Sequence, residues 1–337
     1  MRNARIKELT LAPQEIAPQE IAPQEIAPQE IAPQEIAPQI SSPVDAINRF
    51  FSFLDVSPKT ADTYRKALKQ FISFLNGRGT MHPQREDIIA FKKYLLSCGR
   101  KPATIALYLS AVRRFFSWCE AEGLYTDITR GIKTPKIDSG HKKDCFSARQ
   151  VTDIMNGINR NTLEGMRNFA MFSLMVTCGL RTIEISRADV ADLRNVAGVT
   201  CLYVQGKGRS SKADFVKLPP QVEKVIRDYL NARGNVRGNA PLFASCSRRN
   251  RGGRLSTRTI SGVAKSAMIN AGYISERLTA HSLRHTSVTL ALLAGNPLAD
   301  VQAFARHHSV NTTLIYAHHI DRLKSACEAS IAMAIFT

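Results

Sequence analysis

Two spacings of apolar residues alternate along this chain, and each predicts its own elements. Between residues 43 and 122 the helical spacing i, i+3, i+4, i+7 recurs in four segments. The first spans 43–54 (PVDAINRFFSFL). The second spans 57–76, with Ser57 and Pro58 as N-cap and first helical residue and Thr63, Tyr64, Ala67, Leu68, Phe71, Phe74 and Leu75 as its inner stripe. A third, 84–98, turns Ile88, Phe91, Tyr94 and Leu95 inward, and a fourth, 102–122, turns Ile105, Leu109, Val112, Phe116 and Trp118 inward. TRGIKTPK at 129–136 has Gly, Pro and no apolar period, so it reads as linker. Helical spacing then returns over 148–158 behind Ser147, over 162–177 up to Gly179, in a short turn after Arg181, and over 220–232 and 256–271. A further helix runs from His281 to the stop at Gly295-Asn296-Pro297, then come 298–306, a short amphipathic segment bearing Tyr316, and 321–336. Strand-like alternation occurs at 199–205 and again at 213–218, around the turn Gly206-Lys207-Gly208, and predicts a hairpin with a basic tip. The expected fold is mainly α with a small antiparallel sheet: a helical domain followed by a mixed α+β domain.

The N-terminal segment obeys neither period. Residues 12–36 are five copies of APQEI, followed by APQI at 37–40. Proline in every unit removes a donor and clashes one turn back, so a helix is excluded. One Ile and one Ala per unit cannot offset the entropy of ordering the chain. An extended, polyproline-like tether is expected. The resulting division is 1–41 tail, 42–126 helical domain, 127–146 linker, 147–324 second domain and 325–337 terminal helix or tail.

Charge changes this picture from a plain helical protein to one with a polyanionic partner. Lys and Arg number 46 against 28 Asp and Glu, a net +18. Residues 1–40 carry three basic and six acidic side chains, which leaves +21 on the rest. Nucleic acid is the expected partner, ahead of a membrane surface. The seven cysteines are odd in number, scattered and without C-x-x-C, as expected of reduced thiols in the cytoplasm. No apolar run reaches the ~18 residues needed to span a bilayer, and MRNARIKELTLAPQ lacks a signal peptide's apolar core.

The chemistry concentrates between His281 and Tyr316. His281 and Arg284 stand three apart, on one face of a helix, and His307 ends the helix that follows. Tyr316 comes nine residues later. A phenol attacking a phosphodiester needs cations on the non-bridging oxygens, for which Arg is suited, and proton carriers, for which His is usual. Tyr can carry the covalent intermediate. Taken singly, each of these residues is ordinarily core or surface. Their order is what points to a site.

H-x-x-R, a helix pair, H, and Y within TTxxYxH resembles the C-terminal signature of the tyrosine recombinases, the phage-integrase and Xer-type family. G-L-R-T-I-E at 179–184 resembles a second motif of that family, and the likeness extends from about Ser42 to Lys324. The resemblance implies a core-binding domain followed by a catalytic domain that cleaves and rejoins DNA through a 3′-phosphotyrosine, without metal, ATP or other cofactor. It assigns Tyr316 as nucleophile, Arg181 and Arg284 as phosphate clamps, His281 and His307 as transition-state donors and proton carriers, and a hairpin lysine as general acid. Lys207 is the choice for that acid and Lys212 the rival. It further implies inverted half-sites of double-stranded DNA as partner, a tetramer on two sites, a monomer or weak oligomer when free, and a cytoplasmic, nucleoid-associated location. Lys66, Lys69, Arg113 and Arg114 in the helical domain, and Arg248, Arg249 and Arg251 in the loop SRRNRGGR, are the candidate DNA contacts. Arg181, just past a helix stop, is expected to present both its amide and its side chain to a phosphate.

One departure stands out. Where the family commonly has L-G-H, this chain has Ala305-Arg306-His307, which is expected to alter the turn into His307 and to add a charge close to the active site. Three other readings were weighed. A type IB topoisomerase shares the chemistry but not the compact helical N-terminal unit. A metal enzyme built on His281-x-x-x-His285, His307-His308 or His318-His319 lacks an accompanying carboxylate. A DNA-binding protein without catalysis leaves the R…K…HxxR…H…Y order unexplained.

Overall fold

Local signals start and stop the helices where the sequence places them. A computed structural model describes residues 43–136, 144–206, 208–324 and 327–336, so the APQEI repeats, the middle of the linker and Lys207 lie outside the described residues. The chain divides after Pro135 into two units.

The first unit holds α1 (Pro43–Phe53), α2 (Pro58–Gly77), α3 (Arg85–Ser97) and α4 (Pro102–Ala121). The Ser57 hydroxyl accepts the Thr60 amide at 3.3 Å, and Pro58 needs no acceptor at the first turn. Phe50, Leu68, Phe71, Phe91, Ile105 and Phe116 close the core, with the Phe71 and Phe91 rings edge to face at 5.0 Å. Tyr94, expected inward, is 39% exposed; its ring leans on Phe74, which leaves the phenol in contact with water. Residues 129–133, read as linker, are strapped to this unit. Arg85 donates to the Arg130 carbonyl (2.6 Å), Lys92 to that of Lys133 (2.8 Å) and Arg113 to that of Ile132 (2.9 Å), while Ile132 enters the core.

The second unit is built around α6 (Leu163–Thr177), whose Ala170, Met171, Leu174 and Met175 are buried. α6 packs chiefly on α8 (Pro220–Arg233) and α10 (Ala280–Leu293), while α5 (Ala148–Asn156) and α9 (Thr257–Asn270) complete the core. Around this lie α7 (Thr182–Arg187), α11 (Leu298–Ala305), α12 (Val310–Lys324) and α13 (Cys327–Phe336). Among the described residues no helix is long and apolar enough to cross a membrane.

The sheet has three antiparallel strands, β1 (Leu193–Val196), β2 (Val199–Val204) and β3 (Asp214–Lys217), in that order. The hairpin expected from sequence is β2–β3, and β1 is an addition. Three of its four residues are exposed, so no apolar alternation announced it; pairing of Leu193 with Leu202 holds it in place. Tyr316, expected on a short segment, sits in the middle of α12. Thr313, Tyr316 and Ile320 are buried at helical spacing, but the exposed Val310 and Ile315 blur that stripe in the sequence. Of the helix expected over 321–336, the described residues form the end of α12 and α13.

Candidate active site

The site begins where α6 stops. Gly179 adopts φ +60°, and a Cβ there would come within 3.3 Å of the Phe304 ring on α11 and 3.4 Å of Ser287 on α10. Glycine therefore lets three helices close together behind Arg181, the N-cap of α7. The Arg181 amide donates to Glu184 Oε2 (2.8 Å) and its Nη1 to Glu184 Oε1 (2.9 Å). The amide expected to face a phosphate is thus already taken, because the carboxylate three residues on closes a capping box. The guanidinium remains, 27% exposed.

Glu184 is fully buried and also receives Arg306 Nη2 at 2.9 Å. Burial alone would raise its carboxyl, but the Arg306 charge, the Arg181 amide and the Arg181 charge outweigh that and hold it below the ordinary range. At the turn into His307 the residue in the glycine's place keeps a backbone conformation that glycine favours. Arg306 itself takes the left-handed conformation, φ +51° and ψ +46°, and caps α11. Its side chain, 8% exposed, folds back onto Glu184, the Gly179 carbonyl (3.2 Å) and the Phe304 carbonyl (2.8 Å). A left-handed non-glycine costs about 1–2 kcal/mol, whereas removing one partner of a buried ion pair costs about 3–5 kcal/mol. Arg306→Gly is therefore expected to lower stability by on the order of 2 kcal/mol, several degrees in Tm for a unit of this size. An unchanged or higher Tm in a thermal melt would show that backbone strain dominates. The sign for pH follows from the depressed Glu184 value: this stability is present above the ordinary carboxyl range and is lost as pH falls through the folded-state value.

Helix α10 supplies three more groups. Arg284 is 2% exposed; Nη1 donates to the Gly179 carbonyl at 2.5 Å and Nη2 to that of Ala305. Burial and the charges of Arg181 and Arg306 depress it to about 9. Cations so crowded favour an anion between them. One turn earlier His281 is exposed, its ring 4.6 Å from that of His285. His307 shares a 2.9 Å hydrogen bond between Nδ1 and Thr313 Oγ1, and its ring lies 6.3 Å from Tyr316 in a nearly parallel plane. Burial first, then Arg284, Arg181 and Arg306, push His307 down to about 4, so it is a neutral ring at pH 7. Tyr316 is 6% exposed against Val288, Val301 and Ala305, and its hydroxyl is hydrogen-bonded to His285 Nδ1. Burial pushes the phenol up to about 12 in spite of Arg284 and Arg181.

The hairpin tip comes to the same place. Gly206 is buried; Arg187 Nη1 donates to its carbonyl at 3.0 Å, and a Cβ on it would stand 3.8 Å from Glu184 Oε1. Gly206, Gly208 and Arg209 line a cleft of about 970 Å³ with Arg181, Arg306 and His307. Lys207 lies outside the described residues, but its flanks reach the site. Lys212 is tied elsewhere, to Asp189 Oδ2 at 2.6 Å and to Asp192, and those carboxylates raise its pKa against the pull of burial.

Arg181, Arg284, His307 and Tyr316 are thus brought together, with His281 joined to them through His285. Sequence reasoning missed His285 as a partner of the site and took Arg306 only as a charge close to it. The signal for His285 was its place four residues after His281, on the same helix face. Of the candidate DNA contacts, Lys66, Lys69, Arg114, Arg248, Arg249 and Arg251 are exposed, while Arg113 is half-buried and donates to the Ile132 carbonyl. Among the described residues no group of three or more His, Cys, Asp or Glu is placed to hold a metal.

Residues 145–322 match the phage integrase family, and residues 47–123 match the phage integrase N-terminal SAM-like domain. The tyrosine recombinase XerC of Herpetosiphon aurantiacus is 28% identical over 286 residues, covering 81% of this chain and 90% of that protein. The tyrosine recombinase XerD of Oceanobacillus iheyensis is 29% identical over 288 residues, covering 81% and 93%. Among solved structures, a lambda integrase dimer bound to a COC′ core site superposes with a TM-score of 0.64 at 20% identity, over 80% of this chain and 96% of that one. The family match alone spans more than half of the sequence and contains Arg181, Arg284, His285, Arg306, His307 and Tyr316, so this chain is a Xer-like member of the phage integrase family, the tyrosine site-specific recombinases.

Proposed function

We propose that this recombinase cleaves and rejoins double-stranded DNA at inverted half-sites through a 3′-phosphotyrosine, with Tyr316 as nucleophile. The observation that carries the reading is the convergence of a buried tyrosine with Arg284, Arg181 and His307, beside the cleft that Arg181 and His307 line. Tyr316 Oη attacks the scissile phosphorus, the P–O5′ bond breaks, and the freed 5′ oxygen takes a proton from Lys207. Arg181 and Arg284 donate to the non-bridging oxygens as charge builds. His307, neutral, serves as a hydrogen-bond donor through Nε2 in the tautomer whose Nδ1 accepts from Thr313. His281, exposed at the start of α10, donates from the other side. Attack by a partner strand's 5′-hydroxyl reverses the step, so the energy of the bond is kept in the phosphotyrosine and no ATP is consumed. No metal or cofactor is assigned to the reaction.

The first unit grips one side of the DNA, through Lys66, Lys69 and Arg114 on its helices, and Arg248, Arg249 and Arg251 add phosphate contacts in the second. Four copies act on two sites in the cytoplasm, where the reaction serves a mobile element or dimer resolution. Incubation with a nicked suicide half-site is expected to give a protein–DNA adduct on a denaturing gel, with EDTA present and ATP absent. Loss of the adduct on chelation would overturn the metal-free mechanism.

The general acid has its own test. A 5′-bridging phosphorothiolate leaves readily without a proton, so it relieves only a variant that lacks the acid. Lys207→Ala is expected to be slow on normal DNA and largely restored on the thiolate. Lys212→Ala loses the ion pairs to Asp189 and Asp192 and is expected to be equally impaired on both substrates. Rescue of Lys212→Ala alone would move the role to that residue.

A further inference from the structure

The cleavage step requires an acceptor for the proton of the nucleophile. We propose that His285 is the proton acceptor for Tyr316 in cleavage and returns the proton when the tyrosine leaves. This rests on Tyr316 as nucleophile and adds a catalytic residue to that site.

Three observations carry it. First, the Tyr316 hydroxyl is hydrogen-bonded to His285 Nδ1, the rings 5.2 Å apart and tilted by 34°. Second, three other described groups near the phenol are unsuited. Arg181 and Arg284 are cations and cannot accept. His307 Nδ1 is engaged by Thr313, and its ring lies in a plane nearly parallel to the phenol. Third, Tyr316 is packed among Val288, Val301 and Ala305, where burial holds the phenol to about 12, so a free phenolate does not form near neutrality. A base in contact is then worth most, because attack and proton removal coincide. His281, exposed, sets its ring edge-on to His285 at 4.6 Å, which places a second imidazole next in line towards water.

The step balances. The Tyr316 Oη–P bond forms and the P–O5′ bond breaks; the phenol proton goes to His285 Nδ1, and the general acid supplies the proton for O5′. In rejoining, a 5′-hydroxyl attacks and His285 gives its proton back to the leaving phenolate. Among the described residues, the titratable and charged groups around this pair include His281 on α10, Arg284 beside it, His307 before α12, Arg181 at α7 and Cys145 before α5, which also acts on Tyr316.

The test is single-turnover adduct formation on the nicked half-site by full-length His285→Asn, His285→Ala and Tyr316→Phe. Asparagine sets an oxygen near the place of Nδ1 and accepts the hydrogen bond, but it cannot take the proton. His285→Asn and His285→Ala are both expected to be slower by roughly 10²-fold or more, with half-site binding by gel shift unchanged. The wild-type rate is expected to fall on the acid side as the ring protonates, and the Asn variant to lose that limb. Added imidazole is expected to speed the Ala variant. Wild-type rates in His285→Asn would reduce His285 to a positioning residue, and an acid limb unchanged in that variant would place the base elsewhere. An adduct formed by Tyr316→Phe would instead overturn the nucleophile itself; an inactive Phe variant beside a normal Asn variant overturns only this proposal.

Discussion

Tyr316→Phe is expected to bind half-site DNA as the wild type does and to form no covalent adduct at all. The ring is packed in a small apolar cluster with Val288, Val301 and Ala305, and phenylalanine keeps those contacts. Only the hydroxyl and its hydrogen bond to His285 are lost, a net effect on stability of about 1 kcal/mol. The cationic residues that attract DNA stay in place. The nucleophilic oxygen has no substitute at that position, so the loss is complete rather than graded. The measurement is a suicide substrate resolved on a denaturing gel beside a gel shift on the same preparation. A persisting adduct would falsify the assignment of the nucleophile.

Arg284→Ala carries the second largest effect, and it acts twice. Removing a preorganised donor from a developing oxyanion costs about 10²–10³ in rate. The same guanidinium bridges the carbonyls of Gly179 and Ala305, the residues that end α6 and α11. The Gly179 carbonyl keeps Arg306, but the Ala305 carbonyl loses this donor at a cost of about 1–3 kcal/mol, so the variant is also expected to melt earlier. Rate and stability separate with Arg284→Lys, which keeps a charge but cannot make the fork. The lysine variant is expected to regain part of the melting temperature and little of the cleavage rate. Cleavage within tenfold of wild type by a folded Arg284→Ala would remove this residue from the phosphate clamp.

Much of this was legible before any coordinates. The helix faces of the first unit follow from spacing, because a residue three or four places on lies on the same side of a helix whatever it packs against. The R…HxxR…H…Y order was legible for a different reason: each residue type is needed for its chemistry, and its position along the chain survives without knowledge of the fold. The strand β1 was not legible, since three of its four residues face water and only its pairing with β2 makes it a strand.

The chain by itself thus determined two units, the helix faces and the residues whose chemistry fits a phosphodiester. Only the tertiary structure decided how those residues are wired. Arg306 reads in the sequence as a lost glycine; in the fold it is a left-handed cap whose charge holds Glu184, 122 residues away, and through it Arg181. Tyr316 reads as a nucleophile with His281 and His307 as proton carriers; in the fold its hydroxyl is hydrogen-bonded to His285, 31 residues earlier on another helix. Spacing reports what lies on one helix face, whereas these contacts join elements far apart in the chain, and the packing of α7, α10, α11 and α12 sets them.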